Sequence, residues 1–165
     1  MLDNKYSLDL PYPELEEPFY PGDVKCIVDD YCGRTGEMTA VMQYLYQHYI
    51  TANNNKRLSQ ALKGLALTEM RHHALLGEAI AKMGGDPIIG GSTCFWSGAN
   101  VNYVKNPVAF LQHDIMTEKQ AIANHSRAAA CVKNPTLSEL MLRIVKDEEL
   151  HVTILRELLD ELTAL

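Results

Sequence analysis

Apolar residues recur at steps of three and four along four segments of this chain, which predicts four amphipathic helices. The first covers residues 29–52 and ends at the polar NNN of 53–55. The second covers 56–83 and is stopped by Gly84-Gly85, with Pro87 just beyond. The third starts at Pro107, a favourable first-turn residue behind Asn106 as cap, and ends near 133. The fourth follows Pro135, where TLSE at 136–139 resembles a capping box, and runs to the end of the chain. Residues 1–28 carry Pro11, Pro13, Pro18 and Pro21 and read as an extended arm. The first and second helices are joined by a short link, as are the third and fourth, so each pair forms an antiparallel hairpin. The connection 84–106 is long enough to run back along a bundle. The expected fold is therefore all-α: an antiparallel four-helix bundle over 29–165, two helical hairpins joined by one long crossover. A short extended piece near 101–104 is the only competing pattern.

The apolar seams are interrupted at matching depths. On the second helix Leu58, Leu62 and Leu65 lead to Glu69 and His72 before Leu76, Ile80 and Met83 resume. On the fourth, Leu137, Met141 and Ile144 lead to Glu148 and His151 before Leu155, Leu158 and Leu162. The third helix places Glu118 and His125 among Leu111, Ile115, Ile122 and Ala129, and the first places Glu37, Val41, Tyr44 and His48 on one stripe. The two halves also repeat each other. Glu69 follows Glu37, and Glu148 follows Glu118, at an interval of about 30 residues, and each second glutamate has a histidine three positions on.

Four carboxylates facing one axis are costly, because burial and mutual repulsion both oppose their charged forms. The seams hold no lysine or arginine to offset them, whereas two divalent cations would. A site rich in carboxylates with some imidazole suits iron or manganese. The three-residue spacing keeps acid and histidine on one helix face, so both reach the same metal pair.

Composition narrows the alternatives. The formal net charge of -6 and the lack of a basic cluster argue against nucleic-acid binding. No apolar run reaches the length of a membrane span. The acidic, proline-rich start of the chain does not read as a signal peptide, so a cytoplasmic location is expected. Cys26, Cys32, Cys94 and Cys131 form no C-x-x-C pair. They are expected to be reduced thiols, a Cys26–Cys32 bridge being the alternative.

EMTAVMQY (37–44), EMRH (69–72) and DEELH (147–151) resemble motifs of the ferritin-like superfamily of dinuclear carboxylate proteins, in particular its bacterioferritin and rubrerythrin branch. The resemblance spans about residues 30–163. It implies metal ligation by Glu37, Glu69, His72, Glu118, Glu148 and His151, which would also be the catalytic set. Glu37 and Glu118 would be terminal ligands, Glu69 and Glu148 bridges, and the histidines one ligand each. Tyr44 matches a tyrosine that hydrogen-bonds a ligand glutamate. Asp147 matches a carboxylate that orients the histidine of the opposite hairpin, and its counterpart Thr68 departs from that pattern. Ala121 stands where rubrerythrins have an extra acid. His125 replaces a tyrosine, which leaves a hydrogen-bonded core residue, a donor to a ligand, a proton carrier or a seventh ligand open. Met70 sits where bacterioferritins place the methionine that binds haem; helix packing is the role expected here. His73 points away from the site, and Phe95, Trp96 and Tyr103 are expected to cover apolar surface.

The implied function is a dinuclear-iron oxidoreductase with two iron ions, manganese being the alternative metal. It would oxidise Fe(II) and reduce O2 or H2O2, as a ferroxidase or a rubrerythrin-like peroxidase. The alternatives are a manganese catalase-like enzyme and an iron-binding or storage component with little turnover. The chain shows no rubredoxin sequence, so reducing electrons would come from an external donor such as a rubredoxin-like protein. The segment after His151 is short for the extra helix of ferritin cages. A homodimer or higher homo-oligomer is expected, without nucleic-acid or membrane partners.

Overall fold

The computed structural model describes residues 4–164; residues 1–3 of the arm and residue 165 lie outside them. Five α-helices make the fold: α1 (Val24–Cys32), α2 (Glu37–Thr51), α3 (Lys56–Lys82), α4 (Pro107–Cys131) and α5 (Pro135–Thr163). α2 packs along α3 and α4 along α5, giving two antiparallel hairpins, and the connection from Met83 to Asn106 crosses between them. This is the all-α four-helix bundle with a long crossover. The described part of that crossover is irregular apart from one turn of 3-10 helix at Gly98–Asn100 and a single antiparallel bridge between Gly90 and Phe95. No strand forms near 101–104 among the described residues.

Local chemistry sets the helix starts. Asn55, Asn106 and Asn134 each accept a hydrogen bond from the backbone N–H three residues on, at 3.0, 3.0 and 2.8 Å. Such side-chain caps satisfy donors that the first helical turn leaves free. The fourth helix of the bundle is thus capped by Asn134 with Pro135 in its first turn, not by a box starting at Thr136. The Thr136 hydroxyl instead donates to Asn134 Oδ1 and accepts from the backbone of Glu16 in the arm.

The predicted first helix differs most from the structure. After 3-10 turns at Asn4–Tyr6 and Pro21–Asp23, α-helix begins at Val24, inside the stretch read as an extended arm, and breaks at residues 33–36. A Cβ at Gly33 or Gly36 would stand 2.6 or 2.5 Å from the Asp29 carbonyl oxygen, so the chain turns this tightly only with glycine at both places. The break makes Glu37 the first residue of α2 and puts Asp30 on a separate short helix packed against α3 and α4.

The cysteine expectation is also corrected. Cys26 of α1 and Cys131 at the end of α4 form a disulfide, with Cα atoms 5.9 Å apart. The pair is separated by 105 residues in sequence, and only the folded bundle brings the two together. Cys32 is a buried free thiol and Cys94 an exposed one.

The apolar interior is divided in two. Ile27, Tyr31, Leu76, Ile80, Met141 and Ile144 belong to a core at one end of the bundle. Leu58, Leu62, Leu65, Phe110, Leu111 and Leu155 belong to another at the opposite end. Between them lies a layer of buried polar side chains. The crossover contributes Trp96, which packs on the first core and donates to the Thr39 hydroxyl at 2.9 Å. Phe95 is 75% exposed and covers no part of the bundle, and Tyr103, 53% exposed, lies edge-on to Tyr46 with ring centroids 4.9 Å apart.

Protein denatured without reductant should therefore show two titratable thiols, those of Cys32 and Cys94, rising to four after reduction. Because closing a loop of this length limits the unfolded chain by about 4–5 kcal/mol in the entropic account, reduction should also lower the melting temperature. Four thiols before reduction would refute the Cys26–Cys131 bond.

Candidate metal centre

The polar layer is built from the four helices that the seams identified. Glu37 is in the first turn of α2, Glu69 and His72 share a face of α3, Glu118 lies on α4, and Glu148 and His151 share a face of α5. All six are almost fully buried. Two groups of ligand atoms converge there: Glu37, Glu69, His72 and Glu148 in one, and Glu69, Glu118, Glu148 and His151 in the other, with the atoms of each group within 4.8 Å of one another. Glu69 and Glu148 belong to both.

Both histidines direct Nδ1 inward. His72 Nδ1 lies 3.2 Å from Glu69 Oε2 and 3.0 Å from Glu148 Oε1. His151 Nδ1 lies 2.9 Å from Glu69 Oε1 and 3.0 Å from Glu148 Oε2. Several carboxylate oxygens are buried without a well-formed hydrogen bond, namely Oε1 of Glu37, Glu69 and Glu148. Divalent cations would use these lone pairs and the imidazole nitrogens together, and the donor set fits a di-iron or di-manganese site.

The outward nitrogens of the two histidines have different partners. His72 Nε2 is 3.1 Å from Asp147 Oδ2. Asp147 is fully buried, pairs with Arg143 Nη1 at 2.8 Å, and accepts the Tyr12 hydroxyl and the Leu8 backbone N–H. His151 Nε2 is 2.9 Å from the backbone carbonyl of Tyr6. The Thr68 hydroxyl donates to the same carbonyl at 3.2 Å.

The terminal acids sit beside an opening. A cavity of about 370 Å³ between α2, α4 and the crossover reaches Glu37, Glu118 and His125, with Arg34, Asn102 and Asn124 also in its wall. His125 is buried, its Nε2 2.9 Å from Glu37 Oε1 and its Nδ1 3.2 Å from Asp30 Oδ2. The Tyr44 hydroxyl donates to Glu118 Oε1.

Without metal, protons hold this layer together. Burial by itself would lower the histidine pKa values, but the hydrogen bond to Asp147 and those to the glutamates raise His72 well above its ordinary value. Glu69 and Glu148 do the same for His151. Burial likewise opposes a charged His125, yet Asp30 and Glu37 bring it up to about 10. Against the same burial cost, the histidines keep Glu37 and Glu148 at about 2. Glu118 moves the other way: burial, then the charges of Glu148 and Glu69, push it well above the carboxylate range. Tyr44 is raised by burial and by the neighbouring Glu118.

Several residues outside the ligand set play other parts than expected. His48 sits against Ser59, 2.8 Å from its carbonyl, and not on the axis. Met70 is 46% exposed on the outer face of α3, so it does not pack between helices. His73, by contrast, lies outside the site as expected, stacked on Tyr31 with ring centroids 4.3 Å apart. Sequence reading missed Asp30, the arm contacts of Tyr6 and Tyr12, and a buried cluster in which Gln43 and Gln47 donate to Asp114 at 2.6 and 3.0 Å. Asp30 carried no periodic signal, because the seam pattern assumed an unbroken first helix. Asp114 lies one helical turn before Glu118, and that spacing could have revealed it.

The fold and this layer define a dinuclear carboxylate protein built on a four-helix bundle. Residues 34–165 match the ferritin-like domain model, and the chain belongs to that family. It is 29% identical over 124 residues to a bacterioferritin of Desulfovibrio desulfuricans, a match that spans 73% of this chain and 66% of that protein. Its structure resembles the manganese catalase KatB from Anabaena PCC7120, with a TM-score of 0.84 at 18% identity, covering 94% of this chain and 80% of that one. The bacterioferritin BfrA of Mycobacterium tuberculosis superposes with a TM-score of 0.73 at 19% identity, over 92% and 91% of the two chains. These likenesses place the fold with bacterioferritins and manganese catalases. No helix among the described residues is long and apolar enough to cross a membrane.

Because metal must displace protons from His72 and His151, cation uptake should release protons and its apparent affinity should rise from about pH 6 to about pH 8. Calorimetric titration in two buffers of different ionisation enthalpy counts the protons. A titration that releases none would contradict the assignment of both imidazoles to the site.

Proposed function

We propose that this chain is a dinuclear-metal oxidoreductase acting on hydrogen peroxide, with disproportionation of the manganese-catalase type as the reading the site favours. One observation carries it: a cavity of mixed polar and apolar lining ends on Glu37, Glu118 and His125, beside the two converging ligand groups. In this reading Glu37 and His72 would help hold one metal and Glu118 and His151 the other, with Glu69 and Glu148 available to both. The metal pair, when bound, accepts and returns two electrons.

The chemistry balances with peroxide alone. One H2O2 takes up two electrons and two protons and becomes two waters; a second gives up two electrons and two protons and becomes O2. The protein therefore has to admit a small polar molecule and hold protons between the two halves. The cavity wall supplies hydrogen-bonding groups at the entrance. In this reading His125, which carries a proton between Asp30 and Glu37, would give that proton to a peroxide oxygen in the first half and take one back in the second. Tyr44 holds Glu118 through its hydroxyl and keeps that carboxylate in place. The proteins called manganese catalases share this fold over nearly the whole chain, which agrees with the reading.

A second reading is oxidation of Fe(II) by O2 or H2O2, favoured by the 29% identity to a bacterioferritin. It would bring in an external electron donor for peroxidase turnover and a homo-oligomer. Metal-free protein reloaded with manganese should evolve one O2 for every two H2O2 with no added reductant. His125→Asn should lower kcat about a hundredfold or more while metal content stays at two per chain. Manganese-loaded protein that is inert, together with iron-loaded protein that consumes Fe(II) and oxidant, would replace the first reading by the second. Stable metal binding with no turnover of either kind would leave an iron-binding role.

A further inference from the structure

We infer that the N-terminal arm is a working part of the metal centre: the Tyr6 backbone carbonyl positions His151 as the Asp147 carboxylate positions His72. The inference rests on the metal assignment above but not on the reaction.

The two hairpins are related by a pseudo-two-fold repeat in which Thr68 corresponds to Asp147, each immediately preceding a shared glutamate. Asp147 reaches across to His72 Nε2 at 3.1 Å. If the repeat were complete, an acid at 68 would reach across to His151 Nε2. Thr68 is too short to do so and donates its hydroxyl to the Tyr6 carbonyl. That carbonyl lies 2.9 Å from His151 Nε2 and so occupies the place of the missing acid. A histidine that binds metal through one ring nitrogen needs an acceptor for the other, to fix its tautomer and ring plane. Within the described structure, that acceptor for His151 comes from outside the four-helix bundle.

The arm is fastened for this purpose along its length. The Tyr6 ring lies against Gly64, where a Cβ would stand 2.1 Å from the ring. Leu8 N–H donates to Asp147 Oδ1 at 2.8 Å, and Arg143 donates to the carbonyls of Leu8 and Leu10. The Tyr12 hydroxyl binds Asp147 while the Arg71 and Arg143 guanidiniums lie 4.4 Å from its ring centroid. Farther on, Asn134 holds the carbonyls of Glu16 and Pro18.

The arrangement has a built-in asymmetry. A carboxylate is a stronger acceptor than a neutral carbonyl, so His72 is the more basic donor of the two. The metal held by His151 is accordingly the weaker-bound one, and its histidine takes its acceptor directly from the arm, whereas on the His72 side the arm only supports Asp147 alongside Arg143.

The test uses the full-length protein and Mn(II) alone, with free Mn(II) followed by electron paramagnetic resonance during titration. Tryptic cleavage after the exposed Lys5 reports whether the arm is docked. Gly64→Leu drives a side chain into the space of Tyr6. It should speed cleavage after Lys5 and weaken one of the two sites about ten- to a hundredfold, with a smaller effect on the other, whose Asp147 keeps its Arg143 partner. Adding Thr68→Asp to Gly64→Leu should restore the weakened site while the arm stays released, a rescue that a merely structural role would not give. Thr68→Asp alone should speed cleavage after Lys5, because the new carboxylate displaces the carbonyl, and should keep both sites. Circular dichroism of each variant in chelator confirms the helices. A released arm with both affinities unchanged overturns the inference, as does equal weakening of both sites without rescue. Thr68→Asp that leaves the arm docked, with Gly64→Leu also docked, overturns it as well. Failure to bind two Mn(II) ions in the unaltered protein would instead remove the metal assignment itself.

Discussion

Four carboxylates brought into one water-poor layer are the constraint on which this structure turns. Glutamates 37, 69, 118 and 148 come from four different helices, and Glu37 and Glu118 each end within a few ångströms of the central Glu69 and Glu148, where repulsion has little solvent to weaken it. Something positive has to share the layer. In the chain by itself that is the protons on His72, His125 and His151 and on the Glu118 carboxyl, which shift strongly to serve that end. Two divalent cations do the same work with fixed geometry. Protons and metal thus compete for one set of atoms, which couples occupancy of the centre to pH.

The layer is supported unequally. On one side Asp147 is held in place by Tyr12, Leu8 and Arg143, and its hydrogen bond with His72, followed by those three, keeps it ionised below the usual carboxylate range despite burial. On the other side the acceptor is a carbonyl of the arm. The terminal acids differ too: Glu37 is bracketed by two histidines and stays ionised, whereas Glu118 shares a hydrogen bond with Tyr44 and holds its proton. The near-symmetric repeat in the sequence therefore folds into a site whose two halves bind and release charge differently.

Much of this was legible beforehand for a physical reason. Periodicity reports which face of a helix is buried, and a glutamate or histidine on that face stands out against apolar neighbours such as Leu65, Leu76, Ile144 and Leu155. The all-α bundle, its long crossover and the convergence of six side chains follow from that signal. What escaped was anything that depends on contacts distant in sequence or on irregular backbone. Gly33 and Gly36 break the first helix through a close approach to Asp29 that no periodic pattern encodes, and Asp30 was hidden with them. Cys26 and Cys131 meet only after the bundle has formed. The Tyr6 carbonyl could not be read at all, since a backbone group carries no residue identity. Met70 and Phe95 were assigned to packing because large apolar residues are more often buried, yet both face outward.

The division of the interior into two apolar ends has a consequence for how such a protein can change. Each end is a leucine-rich core with its own helix contacts, tied to the polar layer through tyrosines: Tyr12 at one end and Tyr44 at the other. Substitutions that tune the layer leave the hydrophobic filling on both sides in place. Conversely, drift in either core moves the ligands as rigid groups along their helices. The bundle behaves as a chassis with an exchangeable middle, on which altered metal preference or proton handling can arise through a few residues without a new fold.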